Sequence, residues 1–439
     1  MRKLVLLAIL VGLGLSACAP AATPSPTPIP PTPLPPTAAP PTEPPPTEGP
    51  LRTDNLEGET ITLYHFGDIT GPYAAITAPL VNATSDAVQR INAQGGIRGA
   101  KLETLFSDTG GNLEEAISIY NRYLEDGPVI MFTYSSPEVE ALRDRLAEDR
   151  IPLLTPGVSG KGLYAPPGWA FGFVPIYPDQ FGLFLDWLTA EWGEVKPAGA
   201  GDEPRVAIIT WDTAYGRAAD TPESRAYAES LGVEIVSVEY IQQSPTADAT
   251  TAILNAQAAG ANVIYTNTLA YGPAAILKDA VALGVRDQFL IAGNNWAMDL
   301  SMLALAKEAS EGFYGLLPYA WWNDTSVPGV KIVEEQFAAN ARTPAEHSVA
   351  YLVSYALIDV TREALERAID RVGFDALSGE AVFEELEAFD GYDTFEGLTI
   401  VTFGEDVRST SASRIAQVRA GQFVPVTDWM VAPDLRPSE

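Results

Sequence analysis

The sequence predicts an α/β protein made of two doubly wound lobes. Along residues 56–439, short β-rich runs alternate with helical patterns through short loops. Such alternation gives parallel strands with helices on both faces of a sheet. The alternation occurs in two separate series, and the stretch is longer than one ordinary core of about 100–200 residues. Two lobes are therefore expected.

The first series occupies residues 61–154. Apolar residues recur at helical spacing from Leu80 to Ile91 until Gly95 and Gly96 end the pattern, which predicts a helix. Asn112 precedes a second helical pattern, and its side chain can accept hydrogen bonds from the free amides of the first turn. The other elements of this series are strands at 61–66, 102–106, 129–133 and 151–154 and a helix at 137–148.

The second series begins after Pro178. Its predicted strands lie at 206–211, 233–240, 263–267 and 289–292, and its helices lie near 216–231, 250–259 and 273–283. A β segment at 312–317, helical patterns at 329–341, 346–370 and 379–388, and a final β segment at 398–426 follow. Within the last segment, residues 419–422 have the composition of a hairpin turn.

The N-terminus has the pattern of an export signal. Arg2 and Lys3 precede an apolar run at residues 4–15, and Leu15-Ser16-Ala17-Cys18 resembles the lipobox of bacterial lipoproteins. That resemblance implies that Cys18 is acylated and that the protein is anchored by lipid at the extracytoplasmic face of the cell membrane. A short transmembrane helix is the alternative, but about twelve apolar residues fall short of the roughly 20 that a span needs.

Residues 19–55 are predicted to form a disordered stalk. Residues 19–50 contain fifteen prolines spaced by Thr, Ala and Ser, a composition that favours extended polyproline II and cannot build a core. A proline-rich ligand for partner domains is the alternative interpretation.

Composition excludes several classes of function. The formal net charge is −30, so the surface repels nucleic acid and no such partner is expected. Cys18 is the only cysteine and therefore no intrachain disulfide can form. With His65 and His347 as the only histidines and no HExxH or CxxC spacing, neither a transition-metal site nor a cofactor is expected. Calcium bound by carboxylates stays open, although no EF-hand spacing occurs.

The carboxyl ends of the predicted strands give the candidate site. Ligands of open parallel sheets bind there, where helix N-termini present free amides and partial positive charge. Hydroxyls and glycines dominate these loops in one lobe, and aromatic and amide side chains dominate them in the other, which suits a cleft that binds a small molecule. The candidate ligand contacts are Thr70, Tyr73, Tyr134, Ser135, Ser136, Thr155, Gly157, Ser159, Trp211, Asp212, Tyr215, Thr268, Asn294 and Trp296.

One run of residues resembles a known family. The sequence INAQGGIRGAKLE at 91–103, preceded by Thr70-Gly71-Pro72, is similar to the signature of type I periplasmic substrate-binding proteins of the leucine/isoleucine/valine-binding family, which serve ABC importers. Weaker matches are Ser135-Ser136, residues 155–159, Ala214-Tyr215-Gly216, and Gly397-Leu398-Thr399 with Phe403. The similarity covers about residues 58–430.

The resemblance implies two Rossmann-like lobes joined by three crossovers, which close on a ligand by a hinge. The crossovers are expected near 174–177, 315–319 and 401–408. Lobe 1 would comprise residues 56–176 and 318–400, lobe 2 residues 177–317 and 401–430, and residues 431–439 a C-terminal tail. The implied partners are a small-molecule ligand and ABC transporter permease subunits.

The resemblance also implies roles for particular residues. Ser136 and Ser159 match the positions that hold the α-carboxylate of an amino-acid ligand, and Tyr215 matches the tyrosine that covers it. Asn294 and Asn295 stand where the family's amino-acid binders have an acid for the α-ammonium. Asp68 or Asp212 could supply that charge instead, or the ligand could be an amide, a urea-like compound or an aromatic acid.

Structural roles remain open for many of these residues. Ser135 and Ser136 could cap the helix that starts at Pro137, and Tyr215 and Trp296 could pack between the lobes. Tyr319, Trp321, Trp322, His65 and His347 are expected to be structural, and the acids Glu384, Glu385 and Glu387 a solvated helix face.

Two other functional classes are alternatives to a transport protein. A ligand sensor for a membrane signalling protein would use the same fold. A hydrolase is the weaker alternative, because no GxSxG elbow occurs and neither histidine is placed for a Ser-His-Asp arrangement. The sequence therefore predicts a binding protein and not an enzyme.

Overall fold

The structure, a computed structural model, describes residues 55–437. The predicted signal peptide with Cys18, the predicted stalk up to residue 54 and the last two residues lie outside this range. No helix between residues 55 and 437 has both the length and the apolar character that a membrane span requires.

The strands form two sheets and one hairpin. Sheet 1 contains β1 (Thr60–Gly67), β2 (Lys101–Asp108), β3 (Met131–Thr133), β4 (Leu153–Thr155) and β5 (Ala170–Gly172). Sheet 2 contains β6 (Arg205–Trp211), β7 (Glu234–Ile241), β8 (Val263–Thr266), β9 (Leu290–Gly293), β10 (Tyr314–Leu317), β13 (Ala412–Arg419), β14 (Gln422–Pro425) and β15 (Met430–Val431). The hairpin pairs β11 (Tyr392–Thr394) with β12 (Thr399–Val401).

The helices fall into two groups around these sheets. Beside sheet 1 lie α1 (Ala74–Ala93), α2 (Leu113–Leu124), α3 (Ser136–Asp149), α4 (Gly160–Leu163), α11 (Pro328–Ala339), α12 (Val349–Val372) and α13 (Gly379–Glu387). Beside sheet 2 lie α5 (Tyr177–Val195), α6 (Ala214–Arg217), α7 (Pro222–Ser230), α8 (Thr250–Ala258), α9 (Tyr271–Ala282) and α10 (Leu300–Ala306). We call each sheet with its helices lobe 1 and lobe 2.

Both sheets have the same winding. Sheet 1 runs β2-β1-β3-β4-β5, and sheet 2 repeats this order as β7-β6-β8-β9-β10 before β13 adds to its edge. The first five strands of each sheet pair in parallel, and β13 is antiparallel to β10. The predicted α/β class with doubly wound sheets is confirmed. In this order the loops after the first and third strands diverge and leave a crevice at the carboxyl edge.

Local signals explain most of the element boundaries. The Asn112 side chain accepts from the Glu115 amide at 3.1 Å and caps α2, as predicted. The predicted turn at 419–422 joins β13 to β14, and both Ala420 and Gly421 have positive φ. The helix predicted at 216–231 is instead two helices, because Thr221 and Ser224 form a capping box with Pro222 in the first turn of α7.

The sequence did not predict β5 or α5. Almost every side chain of α5 from Tyr177 to Leu188 is buried. A helix buried on all sides lacks a polar stripe, and apolar periodicity therefore gives no signal for it.

Three crossovers connect the lobes. The first is residues 174–176, between β5 and α5. The second follows β10, after which the Ala320 amide donates to the Leu398 carbonyl of lobe 1 at 2.7 Å. The third lies at residues 410–411, later than the predicted 401–408, because the Gly172 amide donates to the Arg408 carbonyl at 2.7 Å and holds this stretch on sheet 1.

Candidate ligand-binding cleft

A narrow cleft separates the carboxyl edges of the two sheets. Its cavity volume is about 30 Å³, room for about two water molecules, so its walls lie close together. Loops after β1, β3 and β4 form one wall, and the start of α5 with loops after β6, β8 and β9 forms the other. The lining residues are Tyr73, Ile76, Leu80, Tyr134, Ser135, Ser136, Gly157, Tyr177, Tyr215, Leu269 and Trp296.

Half of the candidate contacts from the sequence therefore line one cleft: Tyr73, Tyr134, Ser135, Ser136, Gly157, Tyr215 and Trp296. The structure adds Ile76, Leu80, Tyr177 and Leu269. Tyr177 ends the predicted first crossover, and Leu269 follows the strand end at Thr266. Leu269 could have been chosen because it follows a predicted strand, whereas Tyr177 could not, since the sequence predicts neither β5 nor α5. Ligand contact by any of these residues stays a prediction.

Ser136 joins the two walls. Its Oγ accepts from the Ser159 amide at 3.2 Å and faces the Tyr177 hydroxyl of lobe 2. Trp296 donates from Nε1 to the same Tyr177 hydroxyl at 3.1 Å. Ser159 itself points away from the cleft, because its hydroxyl donates to Glu140. Ser159 thus fixes the loop, and of these two serines only Ser136 lines the cavity.

Tyr215 is held from behind by Asn294. The Asn294 Nδ2 donates to the Tyr215 hydroxyl at 2.8 Å and to Asn267 Oδ1 at 2.7 Å. Asn294 is fully buried and does not line the cleft. Burial raises the pKa values of Tyr177 and Tyr215, so both present neutral hydroxyls.

The other sequence candidates lie elsewhere. Thr70 donates to Asp108 at 2.6 Å, and Thr155 is buried in β4. Trp211 is a core residue stacked on Tyr271 with ring centroids 4.8 Å apart. None of these three side chains lines the cleft. Asp212 pairs with Arg217 on the surface, and Thr268 shares a hydrogen bond with Thr266.

At the mouth of the cleft the lobes touch again through Tyr73. Its hydroxyl, from the start of α1, faces the side chains of Gln243 and Thr213 from lobe 2. Burial raises the pKa of this hydroxyl, which therefore remains a neutral donor and acceptor between the lobes.

His65 supports the cleft from inside lobe 1. Its Nδ1 lies 2.8 Å from the Tyr134 hydroxyl. Burial of the ring lowers the pKa of His65 from 6.5 to about 3. The imidazole is therefore neutral in the folded protein at any ordinary pH, in keeping with the structural role expected from the sequence.

Acid should destabilise the protein through His65. The unfolded chain takes up a proton on His65 near pH 6.5 and the folded protein only near 3, so the contribution of His65 to stability is fully present above about pH 6.5 and falls as the pH drops towards 3. At pH 5 the loss is about 2 kcal/mol at 1.36 kcal/mol per pH unit. Urea unfolding between pH 7 and 4 measures it. His65→Gln should flatten the dependence of the unfolding free energy on pH, and His347→Gln should not. Equal dependences in the two variants would contradict the role of the buried His65 ring.

The family follows from a comparison over nearly the whole described chain. A family model described as Periplasmic binding protein matches residues 60–422. The chain belongs to the periplasmic binding protein family. Within this family, the Leucine-, isoleucine-, valine-, threonine-, and alanine-binding protein of Pseudomonas aeruginosa is 22% identical over 315 residues, 72% of this chain and 80% of the relative.

Solved structures of periplasmic binding proteins share the fold. A branched chain amino acid ABC transporter protein from Thermus thermophilus, solved with bound valine, aligns with a TM-score of 0.75 and 23% identity over 86% of this chain and 98% of its own. A fatty acid ABC transporter substrate-binding protein from Thermomonospora curvata aligns with a TM-score of 0.71 and 19% identity over 87% of this chain and 95% of its own. The fold of this periplasmic binding protein is thus the type I fold that the sequence predicted.

Proposed function

We propose that this protein is the lipid-anchored, extracytoplasmic binding subunit of an ABC importer. It captures a small molecule, an amino acid or a related amide or acid, in the cleft and delivers it to permease subunits. The observation that carries the proposal is the convergence of both carboxyl edges on one cleft lined by rings and two serines. The names of the relatives support a binding function and not catalysis.

Binding at this cleft couples to hinge closure. Ser135, Ser136 and Gly157 come from lobe 1, and Tyr177, Tyr215 and Trp296 come from lobe 2. A ligand that touches both sets gains its full contacts only when the lobes approach, so it shifts the population towards the closed form. The permease can then distinguish loaded from empty protein by shape.

Removing the Ser136 hydroxyl should weaken binding. A hydrogen bond to a charged ligand group contributes about 1.5–3 kcal/mol, so we expect Ser136→Ala to lose about tenfold to hundredfold in affinity. A thermal-shift screen of amino acids, amides and small acids supplies the ligand, and calorimetry measures its affinity. Ser230→Ala is the matched control, since the Ser230 hydroxyl bonds only the Tyr227 carbonyl among the described contacts. Equal affinities for both variants would reject the cleft as the binding site.

The anchor is tested separately through Cys18. Cys18→Ser should prevent acylation and shift the exported protein from the detergent phase to the aqueous phase in detergent partitioning, while the wild type remains membrane-bound. The basis is the lipobox pattern at residues 15–18. A Cys18→Ser protein that still partitions with detergent would contradict the anchor and would leave the ligand-binding proposal intact.

A further inference from the structure

Among residues 55–437, no charged side chain lines the cleft. Apart from two serines and Gly157, every lining residue is aromatic or aliphatic. Asp68, one of the carboxylates that could balance a ligand ammonium, accepts instead from the backbone amides of Thr70 at 3.2 Å, Gly71, and Tyr73 at 2.8 Å. It therefore caps the chain that enters α1 and offers no free oxygen to the cleft.

The next carboxyl, Glu138, stands behind Ser135 at the start of α3. It accepts from the hydroxyls of Thr133 and, at 3.1 Å, Thr109, and it also faces Ser135. Burial raises the pKa of Glu138, so its environment disfavours the charged form. Asp212 is 60% exposed and pairs with Arg217 outside the cleft. None of the three carboxyls is therefore available to a ligand ammonium.

Resting on the proposed function, we infer that the ligand is a small carboxylic acid or carboxamide with a branched or single-ring apolar body and no ammonium group. A buried ammonium without a carboxylate costs several kcal/mol. The head group has partners at the start of α3, where Ser135 and Ser136 line the cleft and Ser135 makes no side-chain cap. Ile76, Leu80 and Leu269 then cover the apolar body.

Matched trios of an acid, its amide and the amino acid with the same apolar body test this inference; within each trio the acid and the amino acid differ only at the ammonium. The first is 4-methylpentanoate, 4-methylpentanamide and leucine, and the second is 3-phenylpropanoate, its amide and phenylalanine. We expect the acid or amide of a trio to bind at least a hundredfold more tightly than the amino acid in calorimetry. Leucine or phenylalanine binding equally tightly would overturn the inference and leave the proposed function standing. Binding by no member of either trio would also overturn it.

A variant that adds a carboxylate should reverse the preference. Ile76 is half-buried in the first turn of α1 and lines the cleft, so Ile76→Asp places a charge there without emptying a core position. We expect the ratio of acid to amino-acid affinity to fall at least tenfold. Leu254→Asp adds the same charge at an exposed site of α8 and should leave the ratio unchanged. If Ile76→Asp and Leu254→Asp have equal ratios of acid to amino-acid affinity, the assignment of the ligand class is wrong. The Ser136→Ala variant tests separately whether the cleft is the binding site.

A second, independent observation concerns residues 432–437, here called the strap. On lobe 2, the Leu435 amide donates to Asp179 Oδ1 of α5 at 2.8 Å. The strap also lies directly on Gly182, where an added Cβ would come within 2.6 Å of Pro433 Cγ and 2.7 Å of Leu435 Cδ1. Only glycine lets the strap approach α5 this closely.

The same segment also contacts lobe 1. The Arg436 guanidinium lies 5.2 Å from the centroid of the Tyr164 ring and donates to the Asp406 carbonyl. Pro437 Cδ lies 2.9 Å from the Cβ position of Gly160. Through Pro433 and Leu435 on one side and Arg436 and Pro437 on the other, the strap thus contacts both lobes.

We propose that the strap is a restraint that favours the closed arrangement of the lobes. Its contacts with Asp179 on lobe 2 and with Tyr164 on lobe 1 are made together in this arrangement, so they stabilise it relative to any opening that moves Asp179 away from Tyr164. Removing them shifts the population towards opening.

Small-angle scattering of the protein alone tests the strap, since no ligand is needed. A chain that stops after Val431, and Arg436→Ala, should both have a larger radius of gyration than the parent, with unchanged circular dichroism. Arg419→Ala, an exposed arginine that bonds Gln417, is the control. If the shortened chain fails to fold, the radius of gyration of Arg436→Ala alone decides the question. An unchanged radius for Arg436→Ala overturns the proposal.

Discussion

Replacing Gly157 by valine is expected to weaken ligand binding by about tenfold to hundredfold. Gly157 lies where the lobes come closest, and an added Cβ would stand 2.9 Å from Trp296 Nε1 and 3.1 Å from the Tyr177 hydroxyl. Both atoms belong to rings fixed by their mutual hydrogen bond. The closed form must therefore open to accommodate the side chain, at a cost of about 1–3 kcal/mol for overpacking, which is roughly a tenfold to hundredfold loss of affinity.

The backbone of Gly157 does not need glycine, since its φ lies outside the left-handed region, so lobe 1 should remain folded. Calorimetry with an identified ligand and the melting temperature of the free protein separate the two effects. Gly193→Val is the matched control, because nothing lies within 4 Å of the added Cβ in α5. Full affinity of Gly157→Val would mean that the lobes do not meet at this glycine when ligand binds.

Arg408→Ala is expected to destabilise the folded protein by about 3 kcal/mol, the lower end of the usual cost of removing one partner of a buried ion pair, because the Glu387 side chain is 26% exposed. The Arg408 side chain is 4% exposed. Its Nε donates to the Gly168 carbonyl and its Nη2 to Glu387, both at 2.6 Å. The guanidinium also lies 4.9 Å from the centroid of the Phe171 ring. Alanine would leave Glu387 and the carbonyl without these donors.

Urea unfolding of the parent protein and of Arg408→Ala measures this loss of stability. Arg225→Ala is the control, because Arg225 pairs with Asp220 while its own side chain is 49% exposed, and such pairs contribute less than about 1 kcal/mol. Similar losses in both variants would show that Arg408 does not fix the third crossover stretch to sheet 1. Because Arg408 lies far along the chain from Gly168 and Phe171, its role depends wholly on the tertiary fold.

The sequence predicted elements whose signals are local. The cap at Asn112 and the turn at 419–422 each depend on residues within a few positions of one another. Strand ends also predicted correctly that Tyr134, Ser136 and Trp296 come together, since the carboxyl ends of parallel strands share one edge. Local signals failed for α5, which is buried on all sides.

Side-chain direction could not be read from the sequence. Trp211 ends β6 and Asn294 follows β9, but the Trp211 side chain packs in the core against Tyr271 and the Asn294 side chain lies behind Tyr215. Which way a loop residue points depends on the contacts that the neighbouring strands offer. Ser159 shows the same limit, because only the folded loop places its hydroxyl against Glu140.

By itself the sequence determined the α/β class, the two series of strands and helices, and the edge of each sheet at which the cleft lies, because hydrophobic period and turn chemistry act over short distances. Only the tertiary structure decided which side chains line the cleft, that Asp68, Glu138 and Asp212 are engaged elsewhere, and that residues 432–437 contact both lobes. Those features arise from contacts between residues distant in the chain, which no local pattern encodes.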